Sequence, residues 1–375
     1  MQSRKKESIM PSLFEIPNSK PFDPASLRVE VKNTTVGQLA DMLRNNMIDL
    51  QPDFQRHGNL WSKAKKSRLI ESIILGLPLP SFYFYVDETE KKWVVIDGLQ
   101  RLCAIKDFMV DQSLKLINLQ FLADLHSKHH YKDFSYFEQL DMSMRSVTLN
   151  VISGAASAEA KYIIFQRINS EATQLSPAEI RNALFHGISM DMVKELAESL
   201  EFEKATHHGV SQKRLRHYDY VSRFFAFYIQ GYKDYPSSKM DMFIGNAMEM
   251  INKKADKHKI DALCNVFLDT LNLCHSLLGN DAFRQPLRKD EQKNKDIKTN
   301  PISISLFEAM MYSIANLDKD QQQKLLSCRT SYKVQYAKMF DDEFLRKELS
   351  NGTNQYKSVN YRFSKMEELV KNVLK

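Results

Sequence analysis

Polar and apolar residues alternate over Arg28-Val29-Glu30-Val31-Lys32, which predicts a short strand. Thr35 then stands where a helix cap belongs, with helical spacing running to Leu43. Lys63 to Leu75 predicts a second helix, with Leu69, Ile70, Ile73 and Ile74 on its buried face. Two strands follow. Ser81-Phe82-Tyr83-Phe84-Tyr85-Val86 is aromatic and β-branched, and Trp93-Val94-Val95-Ile96 comes after a charged turn. Arg145 to Ile152 is a fourth strand candidate. From Ser157 onward nearly every segment has helical spacing. Ser176-Pro177-Ala178-Glu179 reads as a capping box with proline at the first helical position, and Gly187 as the end of that helix. Further helices are predicted over Arg214–Ile229, Lys239–Lys254, Ile260–Leu278, Ile302–Asn316 and Asp320–Phe340, with a polar loop over Arg284–Thr299.

This pattern predicts an α+β chain: an N-terminal arm over 1–26, a small mixed α/β domain over 27–187 and an all-helical domain over 188–375. The arm is punctuated by Pro11, Pro17, Pro21 and Pro24. Composition narrows the class. The 375 residues include only 11 glycines and 11 prolines, which leaves room for long helices and argues against an all-β protein. Four scattered cysteines exclude a disulfide scaffold, and none shows the paired spacing of a zinc site. No apolar run reaches membrane-spanning length, and the charged N-terminus lacks a signal-peptide core, so a cytoplasmic protein is expected. A net charge of +7 is mildly basic; it permits contact with nucleotide or nucleic acid without requiring it.

Candidate chemistry gathers in three clusters. In Trp93-Val94-Val95-Ile96-Asp97-Gly98-Leu99-Gln100-Arg101-Leu102 a strand ends at Asp97, Gly98 permits a tight turn, and Leu102, Ile105, Phe108 and Met109 begin a helical period. Free backbone N–H groups at that helix start favour an anion, and Arg101 adds a planar donor for phosphate. Asp97 has three candidate roles: to hold a metal, to orient Arg101, or to act as a base. The plain alternative is a structural strand–turn–helix corner with an Asp–Arg pair. The second cluster holds Gln55, Arg56, Trp61 and the helix carrying Lys65, Lys66 and Arg68. Here the lysines read most simply as a solvated basic face, and Arg56 and Arg68 as the better phosphate contacts. The third runs from Phe165-Gln166-Arg167-Ile168-Asn169 to Leu175-Ser176-Pro177-Ala178-Glu179-Ile180-Arg181, with Arg167 and Asn169 ending a helix.

Taken in order, these blocks resemble the ParB/sulfiredoxin-like domain of the GmrS and GmrSD type, found in nucleotide-dependent phage-defence and modified-DNA restriction systems. The resemblance spans about 50–190. It rests on Gln55-Arg56 with Trp61, Glu71-Ser72-Ile73-Ile74-Leu75-Gly76-Leu77-Pro78-Leu79-Pro80, Asp97-Gly98-Leu99-Gln100-Arg101-Leu102, and the two blocks of the third cluster. Leu99 stands where the family usually has Gln, and Ala172 where Gly is frequent. The resemblance implies an NTP-binding domain, with NTP hydrolysis as one expected activity, coupled to recognition or cleavage of foreign DNA. Asp97 and Arg101 would be its catalytic pair. Gln55, Arg56, Arg68, Gly98, Leu99, Gln100, Arg101, Arg167 and Asn169 would form its nucleotide site, with Mg²⁺ held at Asp97.

The two-domain members carry a His-Asn-His nuclease. None of His186, His207, His208, His217, His258 and His275 lies in a matching context. Neither Asp87…Glu90-Lys91-Lys92 nor Asp281…Glu291-Gln292-Lys293 makes a convincing metal-dependent nuclease motif, and no Gly-Lys-Ser/Thr phosphate loop occurs. The expected partners are therefore a nucleotide, DNA, a separate nuclease or effector subunit, and a second copy of the chain. Three readings stay open: a nucleotide-hydrolysing defence protein, a non-hydrolysing ParB-like switch, and a scaffold whose corner is only structural.

Overall fold

The structure, a computed structural model, describes residues 28–50, 61–86, 93–153, 158–168, 176–185, 187–236, 239–288 and 299–375. The chain divides into two compact units, with the boundary between Leu184 and Phe185.

The N-terminal unit is built on a mixed five-stranded sheet. In chain order its strands are β1 (Arg28–Thr35), β2 (Ile48–Asp49), β3 (Phe82–Val86), β4 (Trp93–Asp97) and β5 (Ser146–Ser153), in the spatial order β1-β5-β3-β4-β2. β1 runs antiparallel to β5, β5 parallel to β3, β3 antiparallel to β4, and β4 parallel to β2. Alternation along the strands splits their side chains between two apolar layers. Phe82, Phe84, Val95, Leu149 and Val151 face one core with Val36, Leu39, Ile70, Leu102 and Ile105. Those partners come from α1 (Val36–Arg44), α2 (Lys63–Ile74) and α3 (Leu99–Ile105). Tyr85, Val94, Ile96 and Ile152 face the other core, with Tyr162 and Phe165 of α6 (Ala158–Ile168) and Ile180 of α7 (Pro177–Leu184). Two further helices, α4 (Ala123–His126) and α5 (Tyr136–Met144), lie between α3 and β5 in the chain.

Local chemistry sets the ends of these helices. Thr35 Oγ1 accepts from Gln38 N at 3.2 Å while the Gln38 side chain accepts from Thr35 N at 3.3 Å, so β1 passes directly into α1. The predicted box at Ser176 is present too: Glu179 N donates to Ser176 Oγ at 3.2 Å and Ser176 N to Glu179 Oε2 at 2.6 Å. Helix α3 widens into a π turn over Lys106–Val110.

The polar side of α2 is used internally. Glu71 is buried, and its carboxylate accepts the backbone N–H groups of Gln120 at 2.9 Å, Phe121 at 2.6 Å and Leu122 at 2.9 Å. Ser67 Oγ accepts from Ile117 N at 3.0 Å. Lys66, expected on a solvated basic face, is instead buried and ion-paired with Asp107. The pair closes across 41 residues of chain, which helical spacing alone does not reveal. Lys65 and Arg68 are exposed.

The C-terminal unit is helical apart from an isolated bridge between Arg284 and Ile302, among the described residues. Its helices are α8 (Ile188–Ala197), α9 (Leu200–Thr206), α10 (Arg216–Gln230), α11 (Met240–Lys254), α12 (Lys257–Leu278), α13 (Ile304–Ala315), α14 (Lys319–Ser327), α15 (Arg329–Met339), α16 (Glu343–Ser350) and α17 (Tyr356–Leu374). Gly187, read as ending α7, stands at the start of α8 with φ 117°; α7 already ends at Leu184. The single helix expected over Asp320–Phe340 is two, separated at Cys328. The aromatic face of α10 buries Phe224, Phe225 and Phe227. At its side Glu308 of α13 pairs with Arg362 of α17, and through its other oxygen with Arg223 of α10 at 3.4 Å. Burial alone would lower the Arg223 pKa; Asp219 and Glu308 more than offset it and hold the group above its ordinary value. A buried charge trio of this kind specifies which helix faces meet more than it adds net stability. No described helix is long and apolar enough to cross a membrane.

The Glu71 capping carboxylate yields a pH prediction. Burial would raise its pKa, but the N–H groups of Gln120, Leu122 and Phe121, aided by Arg68, hold it below the ordinary 4.5. A depressed folded pKa means that its contribution is complete above the unfolded value and is lost as pH falls through the folded one. Glu71→Gln is expected to cost about 1–3 kcal/mol at neutral pH. The gap between variant and wild type should narrow below pH 4.5. Urea titrations at stepped pH measure both; a gap independent of pH would contradict the assignment.

Candidate functional site

The corner between β4 and α3 gathers Asp97, Arg101 and the carbonyls of Pro80 and Ser81. Strand β4 ends at Asp97, and Gly98 turns the chain with φ 100° and ψ 5° as the N-cap of α3. Only glycine reaches that backbone region without strain. Space enforces the same choice: a Cβ on Gly98 would lie 2.5 Å from Phe82 Cδ1 and 3.2 Å from Arg101 Nη2. The turn therefore brings Arg101 back beside Asp97.

Arg101 is 8% exposed. Its Nη2 donates to Asp97 Oδ2 at 2.8 Å and to Ser81 O at 3.1 Å, and its Nη1 donates to Pro80 O. The guanidinium carbon lies 4.5 Å from the centre of the Phe82 ring. Burial holds its pKa below the ordinary value, with the Asp97 charge pulling the other way. These bonds decide what Arg101 can do. A guanidinium grips phosphate bidentately through its Nη1/Nη2 edge or its Nε/Nη2 edge, and both edges need an Nη2 hydrogen. Both Nη2 hydrogens are engaged, one on Asp97 and one on Ser81. The side chain acts first as a positioning group, fixing the Pro80-Ser81 segment and one oxygen of Asp97. The Asp97 side chain is still 40% exposed.

The surroundings of the corner come mainly from α2. Gln100 Oε1 accepts from Trp61 N at 3.3 Å, and Lys65 Nζ lies 4.6 Å from the centre of the Trp61 ring. The Trp61 indole N–H is buried without a hydrogen-bond partner among the described residues. Trp61, Lys65 and Arg68 follow one another at helical spacing, and Arg68 is solvent-exposed. Leu99 packs against the first core, so the position that departs from the family pattern is apolar and half-buried.

Arg167 is exposed in the last turn of α6. That helix packs on the opposite side of the sheet from α2, and no hydrogen bond or ion pair among the described residues links Arg167 to the corner. The structure therefore brings together Asp97, Gly98, Gln100 and Arg101, with Trp61 and Lys65 beside them, and sets Arg167 apart. Gln55, Arg56 and Asn169 lie outside the described residues, as do Glu90-Lys91-Lys92 and Glu291. The sequence reading missed the unpartnered Trp61 indole; the only signal was its place in the motif. Among the described residues, no group of three or more His, Cys, Asp or Glu side chains is arranged to hold a metal ion.

Residues 36–186 match the family model described as GmrSD restriction endonuclease, N-terminal domain. This span is similar to that domain, in agreement with the order of the sequence blocks. No curated protein and no solved structure matches the chain.

The assignment of Arg101 as a positioning group has a measurable consequence. Arg101→Ala leaves Asp97 and two carbonyls unpaired and opens a void against Phe82, and is expected to cost about 2–4 kcal/mol of unfolding free energy. Arg101→Lys keeps the charge but cannot serve three acceptors from one planar group, and should recover less than half of that loss. Chemical denaturation of the three proteins decides; an alanine variant as stable as wild type would overturn the assignment.

Proposed function

Taking residues 36–186 as a GmrSD-type N-terminal domain of a restriction-type phage-defence family, we propose that this unit binds a nucleoside triphosphate with Mg²⁺ at the Asp97–Arg101 corner. Binding would be coupled to DNA or to a nuclease or effector subunit in trans. One observation carries the reading: Asp97 is held through one oxygen by a buried arginine yet remains 40% exposed at the end of a strand. A carboxylate fixed in direction and open to solvent is a suitable single hard ligand. Mg²⁺ characteristically takes one or two carboxylates and completes its shell with phosphate oxygens and water. The absence of a larger acidic cluster among the described residues fits an ion that arrives with the nucleotide. When bound, the ion would neutralise phosphate charge.

The chain's own groups would do the rest. Arg101 keeps Asp97 in place. Gln100 and the backbone at Gly98 and Leu99 line the turn. Arg68 is an exposed cation on α2. Gln55, Arg56, Arg167 and Asn169 enter this reading only through the family pattern, with Arg167 on the far side of the sheet.

A specific observation favours the switch over rapid hydrolysis. Fast phosphoryl transfer uses a free cation to stabilise the charge that develops in the transition state. The arginine nearest Asp97 already has both Nη2 hydrogens bonded inside the protein. Leu99 places an apolar side chain where the family usually offers an amide.

Thermal unfolding with each of the four NTPs, with and without Mg²⁺, tests the proposal alongside phosphate release. One Mg²⁺-nucleotide should stabilise the wild type by about 2.7 kcal/mol at a hundredfold excess over its dissociation constant. Asp97→Asn should remove the Mg²⁺-dependent part, and release should stay slow in both proteins. No stabilisation by any nucleotide would contradict the proposal; fast release lost in Asp97→Asn would replace the switch by an NTPase.

A further inference from the structure

The sheet of the N-terminal unit has two edges. One is β2, which is only two residues long. The other is β1, eight residues from Arg28 to Thr35, paired along one side with β5. Residues 28–33 of β1 are all exposed, including Val29 and Val31 at 63% each. Exposed β-branched residues on a long open edge are an interaction surface, since the outer backbone groups of an edge strand are ready to pair with another strand. Charges commonly guard such edges. Here their order does more than guard.

Register fixes which residues share a face. Val29 and Val31 stand opposite Ile152 and Asn150 of β5, and Glu30 and Lys32 opposite Val151 and Leu149. The valines thus lie on one face of the sheet and Arg28, Glu30 and Lys32 on the other. We infer that β1 pairs antiparallel with β1 of a second copy of this chain, about a two-fold axis through Val31. In that register Glu30 of each copy faces Lys32 of the other, and Val31 faces Val31. The whole span from Arg28 to Thr34 is then opposed. Centring on Glu30 would set Glu30 against itself and Arg28 against Lys32. Centring on Lys32 would set Lys32 against itself. Centring on Val29 would match Arg28 with Glu30, but only Arg28–Glu30 of the strand would overlap. Within one strand Lys32 Nζ already lies 3.2 Å from Glu30 Oε2; the full-length register extends that pair into a four-charge alternating cluster across the two copies, and that complementarity identifies the occupant of the edge as another β1. Pairing would join the two sheets into one continuous sheet.

The inference is independent of nucleotide binding. Sedimentation velocity on the full-length chain across a concentration series tests it. Wild type should show a concentration-dependent dimer. Lys32→Glu and Glu30→Lys each set like charges face to face and should weaken the dimer about tenfold or more. Both side chains are exposed and their ion pair within the strand is a surface pair of little energetic weight, so each variant should melt close to wild type. Mixing the two variants in equal amounts restores both opposite pairs and should restore the dimer as a heterodimer. A wild type that stays monomeric, a dimer indifferent to both substitutions, or a mixture no tighter than its components would each overturn the inference.

Discussion

The N-terminal unit depends on one buried guanidinium. Arg101 bonds Asp97 at the end of β4, Ser81 before β3 and Pro80 in the segment that leaves α2, and it lies over Phe82 of β3. A buried cation is costly unless its donors are met. The position of each of these segments is therefore constrained by the others. Gly98 makes the arrangement possible, because no side chain fits between Phe82 and Arg101 at that turn. A second polar anchor, Glu71 on α2, holds the backbone of residues 120–122 in the same way, with a carboxylate meeting several N–H groups.

This constraint divides the labour at the corner. Both Nη2 hydrogens of the arginine are bonded inside the protein, while the Asp97 side chain is part-exposed. A ligand there would meet a part-exposed Asp97 and the first turn of α3. The helical unit solves a comparable problem separately. It buries Glu308 between Arg223 and Arg362, so that three helices share one electrostatic register. The GmrSD-type domain match covers the first unit. The second unit is helical apart from one isolated bridge, among the described residues.

Much of this was legible in the chain because it is written locally. The alternation in β1, the aromatic run of β3, the caps at Thr35 and Ser176, and the Asp97-Gly98 turn each depend on residues within a few positions of one another. What could not be read depends on distant partners. Lys66 looks solvated until Asp107 is brought beside it by packing. Glu71 sits in a motif with no stated role because its partners are backbone groups some fifty residues away. Strand β2 is too short to carry a period of its own, and exists through its pairing with β4. The break at Cys328 carries no proline or glycine to announce it. The same distinction holds at the site. An arginine beside a turn suggested a phosphate donor, and only the carbonyls of Pro80 and Ser81 reveal how fully it is used. Gly187 misled for a related reason: it starts α8, and spacing alone does not say which helix a glycine serves.

The central claim is that Asp97, held by Arg101, is where a Mg²⁺-nucleotide meets this chain. Hydrogen–deuterium exchange of the full-length protein, with and without Mg²⁺ and the nucleotide that stabilises it, tests this most directly. The account predicts slowed exchange at the backbone amides of Gly98 to Arg101 and at the start of α2, which disappears without Mg²⁺. Unchanged exchange at the corner, with protection elsewhere or nowhere, would contradict it.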